Sequence, residues 1–311
     1  MRIRATVAAV TGALALSALA VPAAQAAGSS TYGPADLVKA ARALHADSGK
    51  SAFSSSAATD EPYPLDLTFS GVKINNGKPI VVGTTNHVSV PVTYTVTHGA
   101  DVNIHAEDFL MDVDIYRGTS YDDPNARYQV GDGWPTCTDA STTVATCKGT
   151  IDIYPQDPDF GLVNADATTW KAEGYAIAFN GQDPNAPDIT KIGYAGQDGL
   201  GTTKLQRYSK LTVNASPEPV AKGKTITVTG KLSRANWDDH LYHGYTNQSV
   251  KLQYRKKGST TYTTLKTITS DSTGYLKTTT TATADGYYRY SFAGTSTTPA
   301  VNATGDYVDV Q

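Results

Sequence analysis

From residue 62 onward the chain consists of short runs in which apolar and polar side chains alternate, separated by Gly, Pro, Asn and Asp. No convincing helical period occurs in this part of the sequence. A period of two places alternate side chains on one face of an extended strand, which is typical of half-buried β-sheets. The 43 Thr and 19 Tyr residues agree with this interpretation, because both residue types favour pleated surfaces. The sequence therefore predicts an all-β protein.

Two groups of strands are predicted. The first comprises 65–72, 88–96, 109–116, 144–153, 170–179 and 202–208. The second is more regular and comprises 210–214, 224–232, 249–255, 261–269, 275–283, 287–294 and 306–310. Seven short strands within about 100 residues are typical of an immunoglobulin-like sandwich. We therefore expect two tandem immunoglobulin-like β-sandwich domains, at 62–208 and 209–311, the first with longer loops.

Residues 1–26 have the pattern of a secretory signal peptide. Arg2 and Arg4 supply the charged start, residues 7–21 the apolar stretch, and 24–26 (Ala-Gln-Ala) the cleavage pattern. Residues 27–61 are rich in Ala and Ser, and we expect either a linker or a short helix there. No later segment reaches the roughly 18 apolar residues of a membrane span. The mature protein is expected to be secreted and extracellular.

Charge is distributed unevenly along the chain. Residues 28–210 contain 13 basic and 22 acidic residues, whereas residues 211–311 contain 11 basic and 7 acidic ones. Neither half shows the concentrated basic face of a nucleic-acid-binding protein, so nucleic acid is not an expected partner. The opposite signs could favour docking of the two domains, or the two surfaces could be solvated separately.

The chain contains two cysteines, Cys137 and Cys147. In an exported protein such a pair predicts one disulfide. A metal site built on two cysteines alone is the less favoured alternative.

Several turns of the first domain are rich in carboxylates, which are the oxygen ligands that Ca²⁺ prefers. The candidate calcium ligands are Asp112, Asp114, Asp122, Asp123, Asp157 and Asp159. The alternative is that the Asp-Pro segments simply form turns, since Pro presets the backbone and Asp binds its own chain. Calcium is accordingly the one cofactor that the sequence suggests.

Motifs of known enzymes are missing. The chain contains no G-x-S-x-G and no H-E-x-x-H pattern, so no catalytic residues are assigned and no enzyme activity is expected. His240 and His243 have a spacing that could hold a metal on a helix, but their segment has the pattern of a polar loop in which Trp237 packs inward.

The predicted strand at 287–294 separates its side chains into two sets. Tyr288, Tyr290 and Phe292 share the face expected in the core, whereas Tyr287 and Arg289 share the opposite face. Tyr287 and Arg289 therefore form a possible binding surface, with a structural tyrosine corner at 285–288 as the alternative. The triplet at 288–290 also resembles the Trp-Arg-Tyr triplet of small exported amylase inhibitors.

Three stretches carry a further resemblance: 205–213 (LQRYSKLTV), 220–232 (VAKGKTITVTGKL) and 286–294 (GYYRYSFAG). They resemble exported two-domain immunoglobulin-like proteins of high-GC Gram-positive bacteria, and the second domain is similar to bacterial immunoglobulin-like modules. The resemblance implies the architecture and no established activity. We expect a non-enzymatic binding or envelope-associated module whose partner is a protein or a cell-wall glycan. The alternatives are a calcium-binding extracellular module and a secreted hydrolase inhibitor.

Overall fold

The computed structural model describes residues 62–121, 123, 125–183 and 187–311. The predicted signal peptide and the segment 27–61 lie outside the described residues. In the described part the chain forms 21 strands and three single turns of 3-10 helix, at Asn75–Gly77, Asn164–Asp166 and Ile189–Lys191.

The strands fall into two consecutive groups. The first is β1 Tyr63–Pro64, β2 Leu67–Ile74, β3 Ile80–Val82, β4 Val88–His98, β5 Phe109–Arg117, β6 Arg127–Gln129, β7 Thr136–Ser141, β8 Val144–Ile153, β9 Thr169–Ala178, β10 Gly193–Gln197 and β11 Thr202–Arg207. The second is β12 Ser209–Leu211, β13 Asn214–Ser216, β14 Thr225–Asn236, β15 Leu241–Gly244, β16 Ser249–Lys256, β17 Thr263–Thr269, β18 Tyr275–Thr281, β19 Gly286–Phe292, β20 Val301–Asn302 and β21 Asp306–Val308.

The first sandwich packs a four-stranded sheet, in the order β2-β4-β8-β7, against a seven-stranded sheet centred on β9. β4 and β8 pair antiparallel over ten residues, from Val88↔Ile153 to Thr97↔Val144. Alternate side chains of β4, β5, β8 and β9 meet between the sheets and form one core, which includes Tyr94 and Trp170. As the period of two predicts, alternate residues of β4 from Val90 to Val96 and of β5 from Met111 to Ile115 are buried in this core.

The seven-stranded sheet is buried on its outer face as well. Leu110, Ile177, Phe179 and Ile192 form a second apolar cluster there, with Trp134 packed against it. This coverage explains why the first domain has long loops, since they must shield a second side of the sheet. Both faces of β5 and β9 therefore contact protein instead of water.

One buried carboxylate fastens a covering loop to this sheet. Asp166 is fully buried and forms ion pairs with Arg117 and Arg127, with nitrogen–oxygen distances of 2.9 and 3.0 Å. Arg117 ends β5 and Arg127 begins β6. A buried charge is tolerated only when it is paired, and two guanidinium groups meet that requirement here.

The second sandwich packs the sheet around β14 against a sheet in which β16 and β19 are central. Its core contains Leu232, Leu252, Tyr288, Tyr290 and other apolar residues. The predicted inward set of the strand at 287–294 is confirmed, since Tyr288 and Tyr290 are buried whereas Tyr287 and Arg289 lie on the other face. Both halves are immunoglobulin-like β-sandwiches, and the predicted fold class is confirmed. No helix in the described residues is long and apolar enough to cross a membrane.

A single residue, Tyr208, separates β11 of the first sandwich from β12 of the second. The buried Arg207 donates one hydrogen bond to the carbonyl of Ala235 through its side chain and another to the carbonyl of Thr297 through its backbone amide. Burial and the positive charge of Arg234 lower the pKa of Arg207 to about 10, so it remains charged at neutral pH. These bonds restrict bending at the junction.

The turn after β14 reaches from the second sandwich into the core of the first. Trp237 is 1% exposed and belongs to the first core, together with Ala235. Its indole N–H donates to the carbonyl of Gly83 at 2.8 Å, and its backbone amide donates to the side-chain oxygen of Asn164 at 3.0 Å. The packing of Trp237 predicted from the sequence is confirmed, and the core that it enters lies in the preceding domain.

Tyr94 provides a test of the first core. Its hydroxyl is buried, and no hydrogen-bond partner for it lies among the described residues. An unsatisfied buried hydroxyl is unfavourable, so Tyr94→Phe should raise the free energy of unfolding by about 1 kcal/mol, as measured by urea denaturation. Tyr290→Phe is the control: the Tyr290 hydroxyl donates to the carbonyl of Val228 at 2.8 Å, and its removal should be destabilising. A loss of stability in Tyr94→Phe equal to that in Tyr290→Phe would contradict this account.

Trp237 provides a test of the junction. Trp237→Ala leaves a cavity in the first core and should lower the free energy of unfolding by about 3–5 kcal/mol. Leu241→Ala changes the same hairpin at a side chain that is 61% exposed and should shift stability by no more than about 0.5 kcal/mol. Urea titration followed by circular dichroism measures both variants. Equal urea midpoints for Trp237→Ala and Leu241→Ala would show that Trp237 does not stabilise the first domain.

Candidate functional site

The predicted disulfide is present. Cys137 on β7 and Cys147 on β8 face each other across an antiparallel pair and are bonded. β7 is the last strand of its sheet and is largely exposed, so the bond attaches an edge strand to the core strand β8. Neither sulfur is available as a nucleophile or as a metal ligand in this state.

Asp112 and Asp114, two of the predicted calcium ligands, are buried on β5. The Tyr121 hydroxyl donates to Asp114 at 3.0 Å, and Asp112 accepts a hydrogen bond from the amide of Val113 at 2.8 Å. Burial, together with the negative charges of Asp114 and Asp152, raises the pKa of Asp112 well above its ordinary value. These two carboxylates thus lie inside the domain, away from the exposed turns.

The other predicted calcium ligands lie in separate turns. Asp123 accepts hydrogen bonds from Thr119 and from the amide of Asn125, and these bonds lower the pKa of Asp123 to about 2. Asp157 accepts from the amides of Asp159 and Phe160 at 2.9 Å. Asp122 lies outside the described residues. In the described turns the carboxylates stabilise their own backbone, which is the turn-forming alternative, and calcium remains a prediction.

The described residues bring together one group of side chains spaced closely enough to hold a metal ion: His87, Asp132 and Asp152. None of these three was singled out in the sequence, because they come from three distant segments without a common motif. His240 and His243 are not part of such a group. His243 instead pairs with Asp239 at 2.7 Å on the surface.

Tyr287 and Arg289 lie on the face of β19 that points away from the core, as predicted, and their role in binding stays a prediction. The register places Tyr287 between Tyr307 of β21 and Arg255 of β16, and Tyr262 from the adjoining loop completes the surface. We name this set of five residues, Arg255, Tyr262, Tyr287, Arg289 and Tyr307, the arginine–tyrosine face.

Guanidinium groups stack on the rings of the arginine–tyrosine face. Arg289 lies 3.8 Å from the ring centre of Tyr262, and Arg255 lies 4.1 Å from that of Tyr287. Such contacts are attractive because the ring face is negative. The Arg289 Nε also donates to Gln253 at 2.9 Å. These contacts within the domain hold the side chains in place, while all five remain partly exposed.

Sequence reasoning found two of these five residues. Arg255 could have been assigned to this face as well, because it lies in a predicted strand on the side opposite the buried Leu252. Tyr262 and Tyr307 could not, because their positions next to β19 depend on how the strands pair. At the triplet 288–290, Tyr288 and Tyr290 are 1% and 0% exposed, so Arg289 is its surface member. The hydroxyl bonds at the predicted tyrosine corner come from Tyr254, which donates to the carbonyls of Ala284 and Asp285.

Comparisons with known proteins add little beyond the architecture. No family model matches the chain, and no curated protein matches it. Structural matches include the adhesin InvE of Yersinia pseudotuberculosis (12% identity, TM-score 0.24, 78% of this chain and 58% of InvE). The ectodomain of mouse nectin-like molecule 4 matches at 12% identity and a TM-score of 0.22, over 79% of this chain and 65% of that one. The D00-D0 domain of intimin matches at 11% identity and a TM-score of 0.23, over 76% of this chain and 98% of that one. The chain thus spans less than two thirds of the first two. InvE is an adhesin and the nectin-like ectodomain comprises Ig1–Ig3, and at such TM-scores none of the three matches carries an argument about function.

Asp112 provides a test of the buried carboxylates. Because folding raises its pKa, its contribution to stability is present below its ordinary pKa of about 4 and is lost as the pH rises through the raised value. Asp112→Asn should therefore raise the melting temperature at pH 7, with a gain that shrinks toward pH 4. Melting in chelator-treated buffer measures this difference. Asp159→Asn, which removes the same charge from an exposed turn, is the control; a pH-independent effect of Asp112→Asn would contradict the account.

Proposed function

We propose that this protein is an exported, non-enzymatic binding module, which attaches through its arginine–tyrosine face to an anionic polymer of the cell envelope. The carrying observation is the stack of Arg255 and Arg289 on Tyr287 and Tyr262. Tyr and Arg are the residue types that contribute most to binding surfaces. Since the stacks already order these side chains, less conformational entropy is lost when a partner binds.

The chemistry of the face favours an acidic partner. Stacking uses the planes of the guanidinium groups, whereas their N–H groups lie in the plane and suit the paired oxygens of carboxylates and phosphates. Lys257, close to the ring of Tyr307, pairs with Asp285 at 3.3 Å and offsets the charge of that carboxylate. Asp285 is a neighbouring acid, but it already accepts hydrogen bonds from the amide of Val310, from Lys257 and from Tyr307. The excess of basic over acidic residues in 211–311 supports the same choice.

A role without catalysis is supported by the disulfide, because it removes both cysteines as nucleophiles. Export is supported by the signal pattern at 1–26 and by the disulfide, which is typical of oxidising compartments. Origin in a high-GC Gram-positive bacterium belongs to the same proposal and is supported by the resemblance at 205–213, 220–232 and 286–294.

The test is sedimentation of the mature chain, residues 27–311, with purified cell envelopes of the producing organism. The unmodified chain should pellet with the envelopes and be released by salt, because charge contacts weaken as ions screen them. Arg255→Ala/Arg289→Ala should reduce the bound fraction at least tenfold, while its melting temperature stays within about 4 °C of the unmodified chain.

The control variant is Lys231→Ala/Lys277→Ala, which removes two positive charges from the exposed face of the other sheet and should bind normally. Envelopes treated with protease should retain the chain if the ligand is a polymer other than protein. Equal binding by the arginine variant, no binding by the unmodified chain, or complete loss after protease treatment would each overturn the proposal.

A further inference from the structure

A second potential site lies in the first domain, far along the chain from the arginine–tyrosine face. His87 immediately precedes β4, Asp152 lies near the end of β8, and Asp132 lies in the loop that joins β6 to β7. The pairing Ser89↔Asp152 and Val88↔Ile153 brings the start of β4 beside the end of β8. The strand register thereby places an imidazole and two carboxylates together, although 65 residues separate His87 from Asp152.

The three side chains have the spacing of metal ligands. One donor atom from each of His87, Asp132 and Asp152 lies within 4.8 Å of the others. The His87 Nε2 is 2.9 Å from the Asp152 Oδ1. The side chain of Asp152 is 6% exposed and that of His87 is 40% exposed, so the group has a buried floor and an opening to solvent.

Neighbouring groups hold each of the three side chains in position. The Asp152 Oδ2 accepts from the amide of Asp132 at 3.0 Å and from the Thr150 hydroxyl at 2.8 Å, which directs Oδ1 toward His87. The Tyr154 hydroxyl donates to Asp132. The same Tyr154 ring stacks on the His87 imidazole at 4.2 Å, with the planes 9° apart. Supporting bonds of this kind are characteristic of metal sites, where they orient the ligands.

The donor atoms of the group suit a bound cation. Two carboxylates, those of Asp132 and Asp152, lie within 4.8 Å of a single imidazole. The Asp152 Oδ1 approaches the His87 Nε2 to 2.9 Å. Carboxylate oxygens and imidazole nitrogens are both donors that divalent transition metals bind.

We propose that His87, Asp132 and Asp152 form a binding site for a divalent transition-metal ion of the Zn²⁺ class. One nitrogen and two carboxylate oxygens are a donor set that Zn²⁺ accepts, whereas Ca²⁺ prefers six to eight oxygens. Three protein ligands leave one tetrahedral position open, and the exposed imidazole of His87 gives the group access to solvent. The ion would link the loop at 130–135 to the two central strands of the four-stranded sheet.

The experiment is a titration of chelator-treated mature chain, residues 27–311, with Zn²⁺ against a chromophoric chelator. The unmodified chain should bind one Zn²⁺, and His87→Ala should lower the affinity for it at least tenfold. His105→Ala is the matched control, since His105 also pairs with an aspartate at 2.9 Å but in an exposed position. Among the residues that the structure describes, His105 belongs to no such group. Co²⁺ in place of Zn²⁺ should give visible absorption bands that His87→Ala lacks.

Melting temperatures supply a second measurement. Zn²⁺ that binds the native state alone should raise the melting temperature of the unmodified chain and of His105→Ala, and should leave that of His87→Ala unchanged. Asp152→Asn should behave like His87→Ala. The proposal is overturned if His87→Ala, folded as judged by circular dichroism, binds Zn²⁺ as tightly as the unmodified chain. It is overturned equally if Ca²⁺ stabilises the chain through these residues and Zn²⁺ does not.

Discussion

The insertion of Trp237 into the core of the first sandwich is the contact on which the arrangement of the molecule depends. A tryptophan buried to 1% exposure contributes several kcal/mol of apolar packing, and here it comes from the neighbouring domain. Asn164 accepts a hydrogen bond from its backbone amide, and Gly83 accepts one from its indole N–H. The tryptophan therefore cannot shift without losing hydrogen bonds. With Tyr208 as the sole connecting residue, the two sandwiches form one continuous structure.

The first domain departs from a simple sandwich because its larger sheet is covered on both faces. The outer cover shields an apolar cluster, but it also encloses the carboxylates of Asp112 and Asp114. Polar groups enclosed in this way must find partners or change their protonation. Asp166 meets the requirement with two arginines, whereas Asp112 responds with a raised pKa. Some of the acidic residues of this domain are therefore buried in its interior and do not lie on its surface.

The sequence predicted those features that depend on local periodicity. Alternation in β4 and β19 identified the inward faces correctly, because strand geometry fixes which side chains share a face, whereas β5 is buried on both faces. It predicted the disulfide because the chain holds a single pair of cysteines. It could not predict the group formed by His87, Asp132 and Asp152, which depends on strand register and on a loop. For the same reason Tyr262 and Tyr307 were missed, although Tyr287 and Arg289 were found.

The shared core at the junction also constrains how such a gene can evolve. The codons for Ala235 and Trp237 lie beyond the end of β11, yet their side chains complete the earlier domain. A recombination event at the connecting residue Tyr208 would transfer the second half with its own core intact and leave a hole in the first. Exchange of either half as an independent cassette is therefore disfavoured, and the two halves should be inherited as a unit.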